Sequence, residues 1–362
     1  MTDTNTSSNG LTRRRFAVAA SVSGSLVLAA PRLARGAPRP LREAGFPVLL
    51  RFTNHNPAGR YPPLDAAADL TTPATYISSM SLRVPFSGGG YRFDHSDAGI
   101  QRAAAAVTKT VTYQARTSRS GITMFDIESN RSFNVPGTFY DAARDYDRAA
   151  RYDHLAAPEL RGEAARYQTR LMAACQVQMA ISMPSFEPGA YNVPGPINFY
   201  TALRAGQPAA IGAKQAADLR PTLLPSLSFT GPQCRLNISQ VMSDRIRTGA
   251  ITLRQLIDMC AISVATASKT VEGSGAKVMP CLWPRYWALS GARYPNGSAI
   301  LPAGFYTDFC NALLDAGAKG FSIWTPKVDS SLSATDWAGL MGAWSEVVAV
   351  CRARGFQKLT TA

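Results

Sequence analysis

Asp126 and Glu128 stand one residue apart in the stretch GITMFDIES, residues 121–129, inside a run that is otherwise apolar. Two carboxylates so placed can share a proton-transfer reaction. Partial burial raises the pKa of one so that it donates a proton, while its neighbour stays ionised. In a β-strand successive side chains alternate between faces, so Met124, Asp126 and Glu128 share one face and Thr123, Phe125 and Ile127 the other. The two acids are then separated by roughly 6.5–7 Å of backbone rise, and both carboxyls can address one bond. Phe125 and Ile127 are expected to pack outward under helices and Met124 to fill an interior. The acids follow at the strand's C-terminal end, where β/α barrels place their chemistry. A plainer use of such a pair is a turn cap at Asp126 and a solvated strand end at Glu128. What the other strand ends carry tells against it.

MPSFEPGAYN (183–192) supplies Glu187 and Tyr191, CLWPRYW (281–287) supplies Trp283, Arg285, Tyr286 and Trp287, and GFSIWTP (320–326) ends on Trp324. Aromatic rings at several strand ends suit stacking on sugar faces, with core or lid packing the alternative for any one ring. Together with the acids they point to glycoside hydrolysis, with Glu128 and Asp126 catalytic and Trp324, Tyr191, Glu187, Trp283, Arg285 and Tyr286 binding substrate. A conventional retaining glycosidase is a second possibility. It takes its second carboxylate from another strand, such as Glu187, at roughly 5–5.5 Å from the first. A third is a carbohydrate-binding barrel without turnover.

These residues need a scaffold that brings strand ends together. From residue 46 onward, short apolar β-type runs alternate with longer Ala-rich stretches of helical period. Seven strands are expected, at 46–53, 76–86, 122–128, 177–184, 222–229, 277–284 and 320–326. Helical patterns include 97–116, 140–155, 163–176, 252–268 and 305–318. The spacing leaves room for a crossover helix each time, and no Gly-rich nucleotide loop follows the first strand. The expected fold class is therefore α/β, a TIM-like parallel β/α barrel of seven or eight strands in one domain over residues 37–362.

The order of these pieces resembles the hyaluronidase family of glycoside hydrolases, which carry an Asp-x-Glu pair at one strand end of a β/α barrel. Asp126-Ile127-Glu128 stands at the matching place. TLLPSLSF (222–229) is similar to that family's Pro-Ser strand, KVMPCLWPRYW (277–287) to its V-x-P-Y-x-R-x-x-Y strand, and AGAKGFSIWTP (316–326) to its closing G-x-x-I-W-G strand. The resemblance implies Glu128 as general acid/base and Asp126 as the group that orients a substrate acetamido nucleophile. It implies Trp324 as the floor of the sugar site and an N-acetylhexosamine-containing polysaccharide as substrate. Ser228 stands where the family has a tyrosine, so the sugar itself stays open.

Residues 1–36 read as an address. Thr12-Arg13-Arg14-Arg15-Phe16 is a twin-arginine signature ahead of the apolar run from Ala17 to Ala30, and Ala34-Arg35-Gly36 offers a small-residue cleavage site. Export to the periplasm or the extracellular space is expected, with no membrane span in the mature chain. The whole chain carries a net charge of +14. Removing the leader's five arginines and one aspartate leaves 33 basic against 23 acidic side chains, a charge of +10. Such a field favours an anionic partner such as an acidic polysaccharide. The basic residues are scattered rather than interleaved with aromatics, so nucleic acid is not an expected partner. Six cysteines without a CxxC pair, and only three histidines, offer no metal site, and no cofactor is expected. An exported chain has room for up to three disulfides among Cys175, Cys234, Cys260, Cys281, Cys310 and Cys351, and neither their pairing nor the oligomeric state is legible.

Overall fold

The computed structural model describes residues 40–54, 58–77, 84–85, 91–92, 97–102, 104–105, 121–125, 174, 178, 186–191, 229–231, 246–285, 298–324 and 332–360. All of them fall within the compact unit Gly36–Ala362. The leader, Asp126, Glu128 and Tyr286 lie outside the described residues.

Eight strands among the described residues form one sheet: β1 (Val48–Phe52), β2 (Thr71–Ile77), β5 (Ile122–Phe125), β6 (Glu187–Tyr191), β7 (Phe229–Gly231), β8 (Lys277–Val278), β9 (Cys281–Leu282) and β10 (Gly320–Ile323). Their order is β8-β7-β6-β5-β2-β1-β10-β9, and every neighbouring pair is parallel. β3 (Val84–Pro85) and β4 (Tyr91–Arg92) form a separate antiparallel pair. Helices α1 (Pro40–Glu43), α2 (Pro62–Asp65), α3 (Leu253–Thr270), α4 (Phe305–Asp315) and α5 (Ala334–Ala353) accompany the sheet. The result is a half-barrel of parallel strands with helices, in keeping with a TIM-like α/β fold.

The strand alternation sorts two cores. Leu49, Phe321 and Ile323 face outward and pack with Leu256, Cys260 and Val264 of α3, Phe309 and Leu313 of α4, and Trp344 and Val347 of α5. Val48, Leu50, Phe52, Ala74, Tyr76, Ile122, Met124 and Cys281 face inward as a second cluster. Met124 is thus interior, as its parity predicted, and is fully buried.

The helix starts are chemically fixed. Thr252 accepts from the Gln255 amide at 3.1 Å while the Gln255 side chain accepts from the Thr252 amide at 2.8 Å, a reciprocal cap. α4 begins at Gly304, whose hydrogen side chain caps nothing. Instead the Glu346 carboxylate on α5 accepts from the amides of Gly304 at 2.6 Å, Tyr306 at 3.0 Å and Thr307 at 3.2 Å, opposite the positive end of the helix dipole. Gly320 opens β10 at φ +150°, and a Cβ there would stand 2.1 Å from the Val48 carbonyl oxygen. Only glycine permits β10 to approach β1 so closely.

Several strand expectations shift. The second strand is Thr71–Ile77 rather than 76–86, and Val84 and Pro85 leave the sheet for the small antiparallel pair. Pro73 reads as a strand breaker in sequence. In the fold it lies in register with Arg51 of β1, two residues before pairing with β5 begins at Thr75. The fourth strand is Glu187–Tyr191 rather than 177–184, where Gln178 is helical. Pro188 and Gly189 disfavour a strand by propensity, yet the register Ile122↔Glu187 through Phe125↔Ala190 holds them in one. In the fifth, only Phe229 of 222–229 is described, and it begins a strand running to Gly231. The sixth is interrupted at Met279-Pro280. Cys260, Cys281, Cys310 and Cys351 are buried thiols, and none of these four joins a disulfide.

Candidate active site

The C-terminal ends of four strands carry aromatic side chains toward one another. Tyr76 comes from β2 and Tyr191 from the last position of β6. Trp283 and Trp324 follow β9 and β10 directly. β9 and β10 run in parallel register at Ser322↔Cys281, and the Trp324 amide donates to the Leu282 carbonyl at 3.0 Å, which brings the two tryptophans level. Trp324 is the hub. Its ring lies 4.3 Å from Tyr76, edge to face at 76°, 6.1 Å from Tyr191, stacked at 17°, and 6.4 Å from Trp283 at 28°. Phe52 at the end of β1 adds a contact to Tyr76 at 5.8 Å. Pairs of this kind contribute about 0.5–1.5 kcal/mol each beyond the area they bury. Trp324 keeps the largest exposure of the four, 8%, against 1% for Tyr191.

Polar groups hold this layer in place. The Asn54 side chain, just past β1, donates to the Tyr76 carbonyl at 2.6 Å and accepts from the Tyr76 amide at 3.0 Å, locking the end of β2 to that of β1. The Tyr306 hydroxyl of α4 donates to the Trp283 carbonyl. The Arg285 guanidinium lies 5.5 Å over the Trp283 ring, a cation–π contact in a nearly closed position, with 6% exposure. Behind it, Ile300 forms an antiparallel bridge to Arg285, and the segment before Ile300 is pinned by Asp336 of α5, which accepts from Ser298 Oγ at 2.8 Å and the Ala299 amide at 3.1 Å.

Of the residues expected to bind substrate, the fold therefore gathers Trp324, Tyr191, Trp283 and Arg285 at one place. Glu187 goes elsewhere. It opens β6 at the N-terminal end of the sheet, is 5% exposed, and its two carboxylate oxygens accept from the Leu41 amide at 3.2 and 3.1 Å. A carboxylate there serves the first turn of α1, on the rim away from the aromatic layer, so the conventional retaining arrangement built on Glu187 is not available. Asp126, Glu128 and Tyr286 lie outside the described residues. Tyr76 and Phe52 escape the sequence reading, whereas Asn54, in the TNHNPAGRY stretch (53–61) after the first strand, lies where a residue bordering the mouth is expected. Placing the second strand at 76–86 put Tyr76 at a strand's start instead of its end, which removed the one signal that marked it. Among the described residues no group of three metal-ligating side chains converges.

This architecture has a counterpart among known structures. The chain is similar in structure to bee venom hyaluronidase, with a TM-score of 0.52 and 14% sequence identity over 83% of this chain and 99% of that one. It shares that protein's fold. A second crystal structure, bee venom hyaluronidase in complex with a hyaluronic acid tetramer, aligns at a TM-score of 0.49 and 14% identity over 76% of this chain and 87% of that one, too loosely to add to the first. No protein-family model matches the chain, and no curated protein matches its sequence.

Proposed function

We propose that the chain is an exported glycoside hydrolase that cleaves an N-acetylhexosamine-containing polysaccharide at the C-terminal mouth of its parallel sheet. The observation that carries this reading is the aromatic layer centred on Trp324, presented by strand ends on a fold shared with a hyaluronidase. Such rings offer flat apolar faces to the C–H faces of sugars, and strand ends of this fold are where chemistry is placed. The sheet order supports a closed ring. β8 and β9 are two pieces of one segment, Lys277–Leu282; β8 pairs with β7, while β9 pairs with β10 at the other end of the order. Counting that segment once gives the ring proposed here seven strands.

In this reading Glu128 is the acid/base and Asp126 its partner. The inward parity of Ile122 and Met124 supports the assignment, since Asp126 and Glu128 share that parity in the sequence. Glu128 protonates the leaving glycosidic oxygen as the substrate's acetamido oxygen attacks the anomeric carbon. Asp126 holds the acetamido N–H and balances the charge that develops there. Water, deprotonated by Glu128, then opens the cyclic intermediate with retention. The twin-arginine leader supplies the route of export.

The deciding experiment is reducing-end release from hyaluronan, chondroitin, chitin oligomers and peptidoglycan by the purified protein and by Glu128→Gln. The expected outcome is release from at least one polymer, reduced about a thousandfold or more in the variant while glycan binding persists. Binding without release by either protein assigns the chain to the carbohydrate-binding barrels instead.

A further inference from the structure

The first turn of α5 does two things at adjacent positions. Asp336 pins Ser298 and Ala299, beside the Ile300 bridge that backs Arg285 at the mouth. Trp337, the next residue, turns its half-buried ring to Tyr61, which precedes α2, at 5.9 Å and 32°. Over these two rings lies the Arg60 guanidinium, 5.8 Å from each centroid. Tyr61 is 3% exposed and packs into the outer core, so the platform has a rigid base. Arg60 follows β1 and Trp337 follows β10, which places both on the connections at the C-terminal rim, alongside the aromatic mouth.

Arg60 differs from the arginines around it in what it holds. Arg51 is paired with Asp65 at 2.7 Å, Arg352 with Asp69 at 2.9 Å and Arg354 with Asp315 at 2.6 Å. The nearest acid along the chain, Asp65, is occupied by Arg51 and the Gly59 amide. Among the described residues Arg60 has no carboxylate partner, and its guanidinium lies over the two rings. A guanidinium stacked on aromatic faces is held flat and weakly hydrated, and its edge presents a fork of N–H donors matched to a carboxylate or sulfate. Beside it, the ring of Trp337 offers an apolar surface for a sugar face.

We propose that Arg60, Tyr61 and Trp337 form an accessory subsite at the rim of the mouth for an anionic sugar residue of the polysaccharide. The polymer's identity rests on the glycosidase reading above; the binding site itself is tested separately. Its charge complementarity agrees with the net charge of +10 left after the leader's five arginines and one aspartate are removed, but the subsite is a local, oriented group and not a diffuse field.

The test is affinity electrophoresis of the full chain carrying Glu128→Gln, so that the polymer is not degraded, through gels containing hyaluronan or a neutral glucan. Arg60→Gln is compared with Lys269→Gln, which removes the same charge from the exposed last turn of α3 at the opposite end of the sheet. The expected result is a loss of about tenfold in hyaluronan affinity for Arg60→Gln, no change on the neutral glucan and no comparable loss for Lys269→Gln. Arg60→Lys is expected to restore little, because an ammonium lacks the fork. Equal losses in Arg60→Gln and Lys269→Gln, full rescue by lysine, or no retention of the parent on hyaluronan would each overturn the subsite. Failure of the hydrolase reading shows differently, as absent reducing ends from the native chain with this retardation pattern intact.

Discussion

At the N-terminal end of the sheet the chain closes on itself with hydrogen bonds, while at the C-terminal end rings close over the interior. The lower end is plugged by residues 40–46. Leu41 is fully buried in the inner cluster, its amide bonded to Glu187, and Arg42 donates to the Ser274 carbonyl at 2.7 Å. Lys277 donates to the Ala44 carbonyl, and its burial, with Lys319 nearby, pushes its pKa down. Leu359 completes the closure, its amide bonded to Thr72 Oγ1 at 2.9 Å. Among the described residues no comparable run of chain crosses the upper end. Phe52, Tyr76, Tyr191, Trp283 and Trp324 meet there ring to ring. The Glu187 carboxylate at the lower end is used by the fold, and so it is structural there. At the upper end the backbone is tied by Asn54 and Tyr306, and the rings they position form the layer that we propose meets the glycan.

The sharpest way to break this contrast is Trp324→Ala. Removing the hub of three ring contacts is expected to cost about 3–5 kcal/mol of stability, read as a lower urea midpoint, and to abolish retention on glycan gels even where the variant stays folded. Retention unchanged in a folded variant would remove the mouth from the binding surface. Glu187→Ala probes the other end. It leaves the Leu41 amide buried without its carboxylate and is expected to cost about 1–3 kcal/mol. Hydrolysis per folded molecule should be unaffected, and loss of turnover at native stability would erase the difference between the ends.

The outer core gives the smallest effect and a baseline for both. Cys310 and Cys351 are buried between α4 and α5, and desolvation raises both thiol pKa values, with Cys351 and Glu346 adding to the shift at Cys310. Below pH 9.0, the ordinary thiol value, both are protonated folded or unfolded, and the stability they contribute is fully present. Above it the unfolded thiols ionise while the folded ones do not, so stability falls as pH rises. Urea midpoints measured upward from pH 9.0 should decline, less steeply in Cys310→Ala/Cys351→Ala, and a thiol reagent should reach neither residue before unfolding.

Much of the scaffold was legible because it is locally written. β1, the two pieces of the 277–282 segment, β10, α3 and α4 all fall where apolar period and caps predict them. β2 and β6 were displaced because Pro73, Pro188 and Gly189 argue locally against a strand. Pairing with β1 and β5 overrides that preference. The helix α5 was not anticipated, its period blurred by Gly339 and Gly342; Gly339 lies where a Cβ would press on the Ile300 side chain at 3.4 Å. The same displacements account for the site. Tyr76 was overlooked and Glu187 misassigned because each stood at the wrong end of its expected strand.

The amino-acid sequence by itself determined the alternation of strand and helix, the inward parity of Met124 and the supply of aromatic residues near strand ends, since these depend on neighbours a few positions away. Tertiary structure alone decided which end of the sheet each residue occupies. A strand begins where its hydrogen bonds to another strand begin, and that register joins residues as distant as Val48 and Gly320. It set Tyr191 against Trp324 at the mouth and sent Glu187, four residues earlier on the same strand, to the closed end.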